Sequence, residues 1–308
     1  MNDSLLVYCY PTYSRALHIN SKNDSVVLAP DEMLLALSRH HRVDVVNLSP
    51  FITTLPLMRS KIVMKTAEEI NPLNYGYCWH MFRDPLPPEV DALTLIHSGF
   101  FEETRVINHA RHLKNHFKHN YLFHLNQYGL GPKIITEDEN DPLLKDVQWL
   151  PAEWSVSVST CKRFIKVYDY NNGRGDYQEW EKKKNIVVEY LDASINGIRS
   201  FFRVGYALGT VTPGYLYHQT DTALVQKTGK CESKEVHSIP ERFHASIVSA
   251  MQCMGIDTAH LEGCYVNGEL KIFDVNAYPT SYGGTLAPIS EAMASIISAR
   301  MKTGRGWP

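Results

Sequence analysis

The stretch that decides the fold is Leu261-Glu262-Gly263-Cys264-Tyr265-Val266-Asn267-Gly268-Glu269-Leu270-Lys271-Ile272-Phe273-Asp274-Val275-Asn276-Ala277-Tyr278-Pro279. Asn267-Gly268 is a strong short hairpin signal, because both residues tolerate the positive φ that a tight two-residue turn demands. It predicts two antiparallel strands, Leu261 to Val266 and Glu269 to Val275. Glu262 lies near the start of the first and Asp274 near the end of the second, so the hairpin sets them side by side. Asp274 and Asn276 are two apart and therefore share one face of the strand. Three hard oxygen donors converge at one end of a two-stranded sheet. Magnesium takes a few carboxylate oxygens together with phosphate oxygens of a nucleotide, so Glu262, Asp274 and Asn276 read as its ligands. The competing reading is an exposed hairpin with ordinary surface acids. Against it, Ile272, Phe273 and Val275 set the acids in apolar bulk, and Pro279 stops the strand just beyond.

Two segments upstream carry complementary chemistry. In Phe164-Ile165-Lys166-Val167-Tyr168-Asp169-Tyr170-Asn171-Asn172-Gly173-Arg174-Gly175 a strand delivers a lysine, with glycines seven and nine residues on. Glycines let backbone N–H groups close on phosphate oxygens, and a lysine adds a point charge. A lone Gly-x-Gly is more often just a turn. Then Ile186-Val187-Val188-Glu189-Tyr190-Leu191 is an apolar strand carrying one acid.

The order of these three motifs over about 160 residues, with an acid, then twelve residues later acid-x-Asn and a following Pro, resembles the ATP-grasp ligases. These include D-alanine–D-alanine ligases, bacterial glutathione synthetases and ribosomal-protein glutamate ligases. The resemblance implies an α/β chain built of α+β lobes. An N-terminal pre-grasp α/β domain would span 1–115, a central lobe 116–190 and a C-terminal lobe with the metal site 191–308. It implies ATP and magnesium, with manganese as the alternative ion, held by Glu262, Asp274 and Asn276. Lys166, Gly173 and Gly175 would cover the triphosphate. Glu189, Tyr190 and Leu191 would bind adenine, and Asp192 or Asn196 the ribose. Arg199, or less well by spacing Arg203, would face the transferred phosphate, and Lys118, fourteen residues before Pro132, would be a first ATP-contacting lysine. The chain departs from the pattern at Asp274, where the family usually has Glu, and at Tyr170, where it usually has Gly. The segment Asp176 to Asn185 is also about one helix shorter.

The implied reaction is phosphoryl transfer from ATP to a carboxylate, then attack by an amine, with Lys166 and Arg199 in the catalytic roles. Small-molecule or peptide carboxylates and amines would be the substrates. Two other functions are compatible with the same motifs: a kinase of small polyols, and a catalytically silent nucleotide-binding protein.

The rest of the chain sets bounds. It has 308 residues, 44% of them apolar, enough for several subdomains. With 31 basic and 33 acidic residues, no strong pull towards nucleic acid or an anionic membrane is expected. No run approaches the ~18 apolar residues of a membrane span. Six scattered cysteines without a C-x-x-C pair suit a reducing cytoplasm. Homo-oligomerisation is compatible with the sequence.

Further strands are predicted at Leu5 to Cys9, Val43 to Leu48, Ala92 to His97, Arg163 to Tyr168, and Ser200 to Leu208 paired with Thr210 to Leu216. Helices are predicted at Asp31 to His40, Thr104 to Phe123, Pro240 to Met254 and Pro288 to Met301, with a helix stop at Tyr128 to Pro132. The loop Tyr278 to Gly284 is expected to meet the acceptor carboxylate. His109, His112, His116 and His119 recur at helical spacing, but line an apolar stripe and have no carboxylate or cysteine to complete a metal set. Ser98 has no nucleophile-elbow surroundings.

Overall fold

The fold is taken from a computed structural model that describes residues 3–9, 17–20, 25–28, 31–48, 62–82, 88–138, 140–151, 158–161, 163–168, 185–220, 231–277 and 287–307.

Leu5–Cys9 is a run of five residues with no polar alternation, and all five are buried. A strand of that kind needs cover on both faces, which a parallel sheet provides. It lies at the centre of one, in the order Val63–Lys65, Val43–Asn47, Leu5–Cys9, Tyr77–Met81, Val106–Ile107, all neighbours parallel. Leu5, Val7 and Cys9 pack towards helix Asp31–Ser38 and the closing helix Ala287–Thr303; Leu6 and Tyr8 pack with Tyr75, Val106 and Leu113 on the other face.

Two expectations are corrected here. Ala92 to His97 is not a strand but part of helix Pro88–Ser98. A short apolar run cannot be told apart by period alone, and proline at the first helical position favours the helix. Its inner side buries Thr94 and Ser98, and Leu95 and Ile96 remain exposed. The strand beside Leu5–Cys9 is instead Tyr77–Met81. The single helix expected from Thr104 to Phe123 is broken: Val106–Ile107 pairs as a strand, Ala110–His116 is a 3₁₀ turn, and helix Lys118–Gln127 starts only after Phe117, which is extended at φ −79°, ψ 142°. That break puts Lys118 at the start of its own helix.

The second sheet is antiparallel, in the order Ile134–Thr136, Asn185–Glu189, Phe164–Tyr168, Val158–Thr160, Leu150–Pro151. The third is also antiparallel, in the order Cys231–His237, Thr210–Thr220, Ile198–Ala207, Thr258–Val266, Glu269–Asn276. One face of this third sheet carries Phe202, Val204, Leu261, Ile272 and Val275 into a core shared with helices Lys118–Gln127 and His244–Met254. Among the described residues no helix is long and apolar enough to cross a membrane, and Cys9, Cys78, Cys161, Cys253 and Cys264 are free thiols.

One buried side chain fastens the parallel sheet to the third. Asn108, at φ 50°, donates through Nδ2 to Thr258 O at 3.0 Å and Ala277 O at 2.9 Å, and its Oδ1 accepts from the N–H groups of Asp257 and Thr258 at 2.8 and 3.0 Å. Its own N–H donates to Asp257 Oδ2 at 2.7 Å. Replacing the amide leaves buried backbone groups unpaired, so Asn108→Ala should lower the unfolding free energy by about 2–4 kcal/mol in urea titrations.

Asp257 offers a second measurement. Burial raises its pKa to about 6, against the partial offset of the Asn108 N–H. The folded state therefore holds this proton more tightly than the unfolded chain does, and the group's contribution falls as pH rises from about 4 to about 6. Asp257→Asn keeps an oxygen for Asn108 but cannot ionise. Its stability relative to the natural protein should rise across that window; a pH-independent difference would contradict this.

Candidate nucleotide and metal site

Asn267 and Gly268 both have positive φ, 52° and 81°, as a two-residue hairpin turn of this hand requires. From the turn the ladder runs regularly, Val266↔Glu269 to Gly263↔Ile272, and then shifts, so that Glu262 pairs with Asp274 and His260 with Asn276. Phe273 is the extra residue. Without this bulge Glu262 would lie across from Phe273, and Asp274 would turn to the opposite face. Gly263 sits at the shift because a Cβ there would strike the Lys271 carbonyl and the Phe202 ring. The displaced Phe273 joins Leu191, Ala193, Cys264 and Val266 in a small apolar cluster.

The acids sit in a row of cross-strand neighbours: Asp274, Glu262, and then Arg203 on strand Ile198–Ala207. Arg203 is ion-paired with Glu262. On the other side, Lys118 Nζ lies 2.9 Å from Asp274 Oδ1, and the Tyr121 hydroxyl donates to the same oxygen at 2.8 Å. Burial raises the pKa of Asp274, but Lys118, Tyr121 and Arg203 more than offset it, leaving a net shift below the ordinary carboxylate value. Tyr121, by contrast, is pushed well above the ordinary phenol value by burial and by the neighbouring carboxylate, so it remains a hydroxyl donor.

The hinge expectations fall on Glu189, Tyr190, Leu191, Asp192 and Asn196. Glu189 Oε1 accepts from the Lys133 N–H at 2.8 Å, and the Asp192 carboxylate accepts from the Ser194 N–H at 3.0 Å. Asn196 forms an exposed two-residue turn with Gly197, at φ 53° and 75°, between strand Ser194–Ile195 and Ile198. Arg199 is buried and staples the hinge: its Nη1 donates to Tyr190 OH and its Nη2 to Leu191 O, both at 3.0 Å, with the guanidinium 5.1 Å from the Tyr190 ring centre. Of the two arginines considered, Arg203 stands in the acid row and Arg199 under the hinge. Lys166 lies on the face of its strand that carries Phe164, 5.7 Å from the centre of the Trp149 ring, while Ile165 and Val167 on the opposite face join the core of the third sheet. Gly173 and Gly175, Tyr170, and the loop Tyr278 to Gly284 lie outside the described residues.

Sequence reasoning missed Tyr121, the bulge at Phe273 and the pairing of Arg203 with Glu262. Tyr121 lies three residues after Lys118, one turn along the helix, and that spacing could have found it.

Ser98 is no nucleophile. His80 Nδ1 accepts the Ala110 N–H at 2.8 Å, so its Nε2 carries the hydrogen and donates to Ser98 Oγ at 3.1 Å; Ser98 in turn donates to Thr94 O at 2.5 Å. Among the described residues no three His, Cys, Asp or Glu side chains gather to hold a metal ion. The acid row, with two carboxylates and an amide, is not a group of that kind.

The chain has the ATP-grasp fold. It is similar to the ATP-grasp ligase PsnB complexed with a minimal precursor, at 12% identity over 97% of this chain and 99% of that one, TM-score 0.54. It is similar to D-alanine–D-alanine ligase from Bacillus anthracis complexed with ATP, at 12% identity over 99% and 95%, TM-score 0.54. The macrocyclase MdnC bound with precursor peptide MdnA from Microcystis aeruginosa MRC aligns at 10% identity over 96% and 99%, TM-score 0.53. No family model matches the chain, and no curated protein matches its sequence.

The Arg203–Glu262 pair should behave as a coupled unit. Glu262→Gln or Arg203→Gln alone leaves a largely buried charge uncompensated and should cost about 1–3 kcal/mol in urea unfolding, while the double variant should cost less than the sum by about 1 kcal/mol or more. Additive losses would show that the two groups do not interact.

Proposed function

We propose that this protein is an ATP- and magnesium-dependent ligase that joins a carboxylate to an amine through an acyl phosphate, with release of ADP and phosphate. The observation that carries the reading is the row Asp274–Glu262–Arg203, with Lys118 at its end, on the third sheet of an ATP-grasp fold. Its donor set fits magnesium: two carboxylates and the Asn276 amide are hard oxygen ligands. That PsnB has been seen with Mg and ADP, and D-alanine–D-alanine ligase with ATP, supports a magnesium–nucleotide reading here.

When bound, magnesium would neutralise charge on the phosphates. Glu262, Asp274 and Asn276 would hold it. Among the described residues Lys118 and Arg203 are ion-paired with those acids and would bind the phosphate oxygens, Lys118 as a point charge and Arg203 as a planar fork. The apolar cluster of Leu191, Cys264 and Phe273 suits an adenine face, with the hinge beside it supplying backbone groups. Glu189, Tyr190 and Asp192 would serve at that hinge, and Lys166, Gly173 and Gly175 over the triphosphate, Lys166 only by turning from the face it shares with Phe164 and Trp149. Arg199 serves by fixing Leu191 and Tyr190 against the sheet, and the exposed turn of Asn196 leaves Asp192 as the better placed ribose partner. Precursor peptides bound to PsnB and MdnC support a peptide among the substrates.

The acyl-phosphate route sets clear expectations. ADP and phosphate should form in equal amounts only with a suitable carboxylate present, and hydroxylamine should trap a hydroxamate. Heavy oxygen placed in the carboxylate should appear in the released phosphate. Asp274→Asn should reduce turnover at least a hundredfold, by the rule that lost transition-state charge stabilisation costs roughly that much, and circular dichroism should remain unchanged. AMP as product, or unlabelled phosphate, would sink the mechanism.

A further inference from the structure

Residues 106–117 join the parallel sheet to the third sheet. Val106–Ile107 is the edge strand of the first, and Asn108 grips Asp257 and Thr258 at the start of a strand of the other. Asn115 Nδ2 donates to Met254 O at 3.1 Å. The His112 ring lies so close to Gly255 that a Cβ there would strike it, and the His116 ring is hydrogen-bonded to the Gly255 backbone.

The histidines of this joint are held as acceptors. His80 Nδ1 takes the Ala110 N–H at 2.8 Å, His109 Nδ1 the Arg111 N–H at 3.2 Å, and His112 Nε2 the Arg111 Nε–H at 2.8 Å. An imidazole accepts only through the nitrogen that lacks a hydrogen, so each of these rings is neutral. A second proton would set N–H against N–H. His116 is no better placed, because its Nε2 is buried without a hydrogen-bond partner, and a proton there would be a donor with nothing to receive it. The rings also stand close, His80 to His109 at 5.3 Å and His109 to His112 at 6.5 Å, so charges on neighbours repel. Arg111 and Lys114 add positive charge on the same turn. The carboxylates at hand are engaged: Glu103 is ion-paired with Arg111, and Asp257 Oδ2 accepts the Asn108 N–H. Helix Pro88–Ser98 presents Ser98 to His80, and His97 to the Tyr8 hydroxyl. Burial lowers the pKa of His80 to about 3 and that of His116 to about 4, the Gly255 bond offsetting only part of it, and lowers those of His109 and His112.

We infer that residues 106–117 are a proton-released clasp: protons taken up on His80, His109, His112 and His116 free the parallel sheet from the corner at residues 254–258 while each sheet stays folded. Histidine at helical spacing, without a metal to hold, thereby has a task. Asn108 pins the strand ends beside Glu262 and Asn276, so an open clasp would also loosen the proposed ligand set; that consequence rests on the ligase reading, whereas the clasp does not. The folded pKa values lie below the unfolded value of about 6.5. The clasp is therefore complete above about pH 7 and weakens as pH falls through 6.5, each group changing the closed-to-open ratio by up to about tenfold per pH unit. Asp257 works in the opposite sense, since its raised pKa favours the closed joint as pH falls from about 6 to about 4. An Asp257→Asn background isolates the histidines.

The test is amide hydrogen exchange followed by NMR from about pH 7 to about pH 5, corrected for the intrinsic exchange rate, in the natural protein and in Asp257→Asn. Protection at Ala110, Arg111, residue 257 and Thr258 should fall at least about tenfold, while Val7 and Tyr8 of the parallel sheet and Val204 and Leu261 of the third keep theirs. His109→Asn with His112→Gln places an amide oxygen where each accepting nitrogen stood and cannot take the proton. This double variant should match the natural protein at pH 7 and lose protection less steeply below it. Should it fail to fold, imidazole nitrogen shifts of the natural protein decide: His80 Nδ1, His109 Nδ1 and His112 Nε2 should be bare at pH 7 and stay so below pH 6.5. Protection that does not fall, or falls equally in every strand as in global acid unfolding, would overturn the clasp. So would an equally steep loss in the folded double variant, or ordinary titration of these rings near 6.5. No nucleotide enters the measurement, so failure here leaves the ligase reading untouched.

Discussion

The register shift at Phe273 is the constraint from which the site follows. A two-residue Asn-Gly hairpin fixes pairing strictly, and uninterrupted it would put an aromatic ring across from Glu262. One extra residue moves Asp274 into that place and frees Phe273 to pack beneath Leu191. The bulge therefore does two things with a single residue: it gathers the carboxylates, and it builds the apolar cluster beside them. Gly263 makes it feasible by allowing the Lys271 carbonyl and the Phe202 ring to come close. The carboxylates and the apolar cluster are thus adjacent because one backbone irregularity makes them so.

Electrostatics then decides how the site is kept. Two carboxylates on neighbouring strands repel each other, and in a half-buried setting the repulsion is poorly screened. Arg203 and Lys118 remove it, each from a different element, and the net lowering of the Asp274 pKa records that the cations outweigh burial. Arg199 is occupied elsewhere. Its two Nη groups on Tyr190 and Leu191 tie the chain leaving the central sheet to the third sheet, so two arginines four residues apart on one strand do different work.

How much of this was legible in the sequence depended on how local each feature is. The hairpin could be read because Asn267-Gly268 is a local signal, and the acid pair because alternation along a strand is local too. The bulge could not, because it answers to Phe202 and Lys271 packing around Gly263. Arg203 was set behind Arg199 because spacing along one strand says nothing about which neighbour lies across it; only pairing with the strand Thr258–Val266 puts Arg203 beside Glu262. Tyr77–Met81 went unread since Tyr-Cys-Trp-His-Met has no alternation, being buried on both faces. Asn196-Gly197, by contrast, carried the same hairpin signal as Asn267-Gly268, flanked by Ile195 and Ile198. It could have been read as a turn rather than as a ribose contact.

The N-terminal unit has a direct part in holding the acid row. Asn108 Nδ2 donates to Ala277 O, one residue beyond Asn276, at the end of the strand that carries two of the three proposed ligands. The same side chain fixes Asp257 and Thr258 at the start of the strand that carries Glu262. Both ends that meet at the site are therefore pinned from outside their own sheet by one buried amide. The closing helix Ala287–Thr303 adds a second tie, its Ile289, Met293 and Ile297 packing with Leu5, Val7 and Leu34 while Ala207 and Leu208 of the third sheet join the same core. Among the described residues the central sheet has less to hold it. Ile165 and Val167 pack into the core of the third sheet, and the hinge at Tyr190–Leu191 is stapled by Arg199. The first and third sheets thus form one doubly fastened body around the acids, and the central sheet is attached through a narrower seam. For the proposed nucleotide site that division would let Glu262, Asp274 and Asn276 keep their geometry whichever way the narrower seam gives.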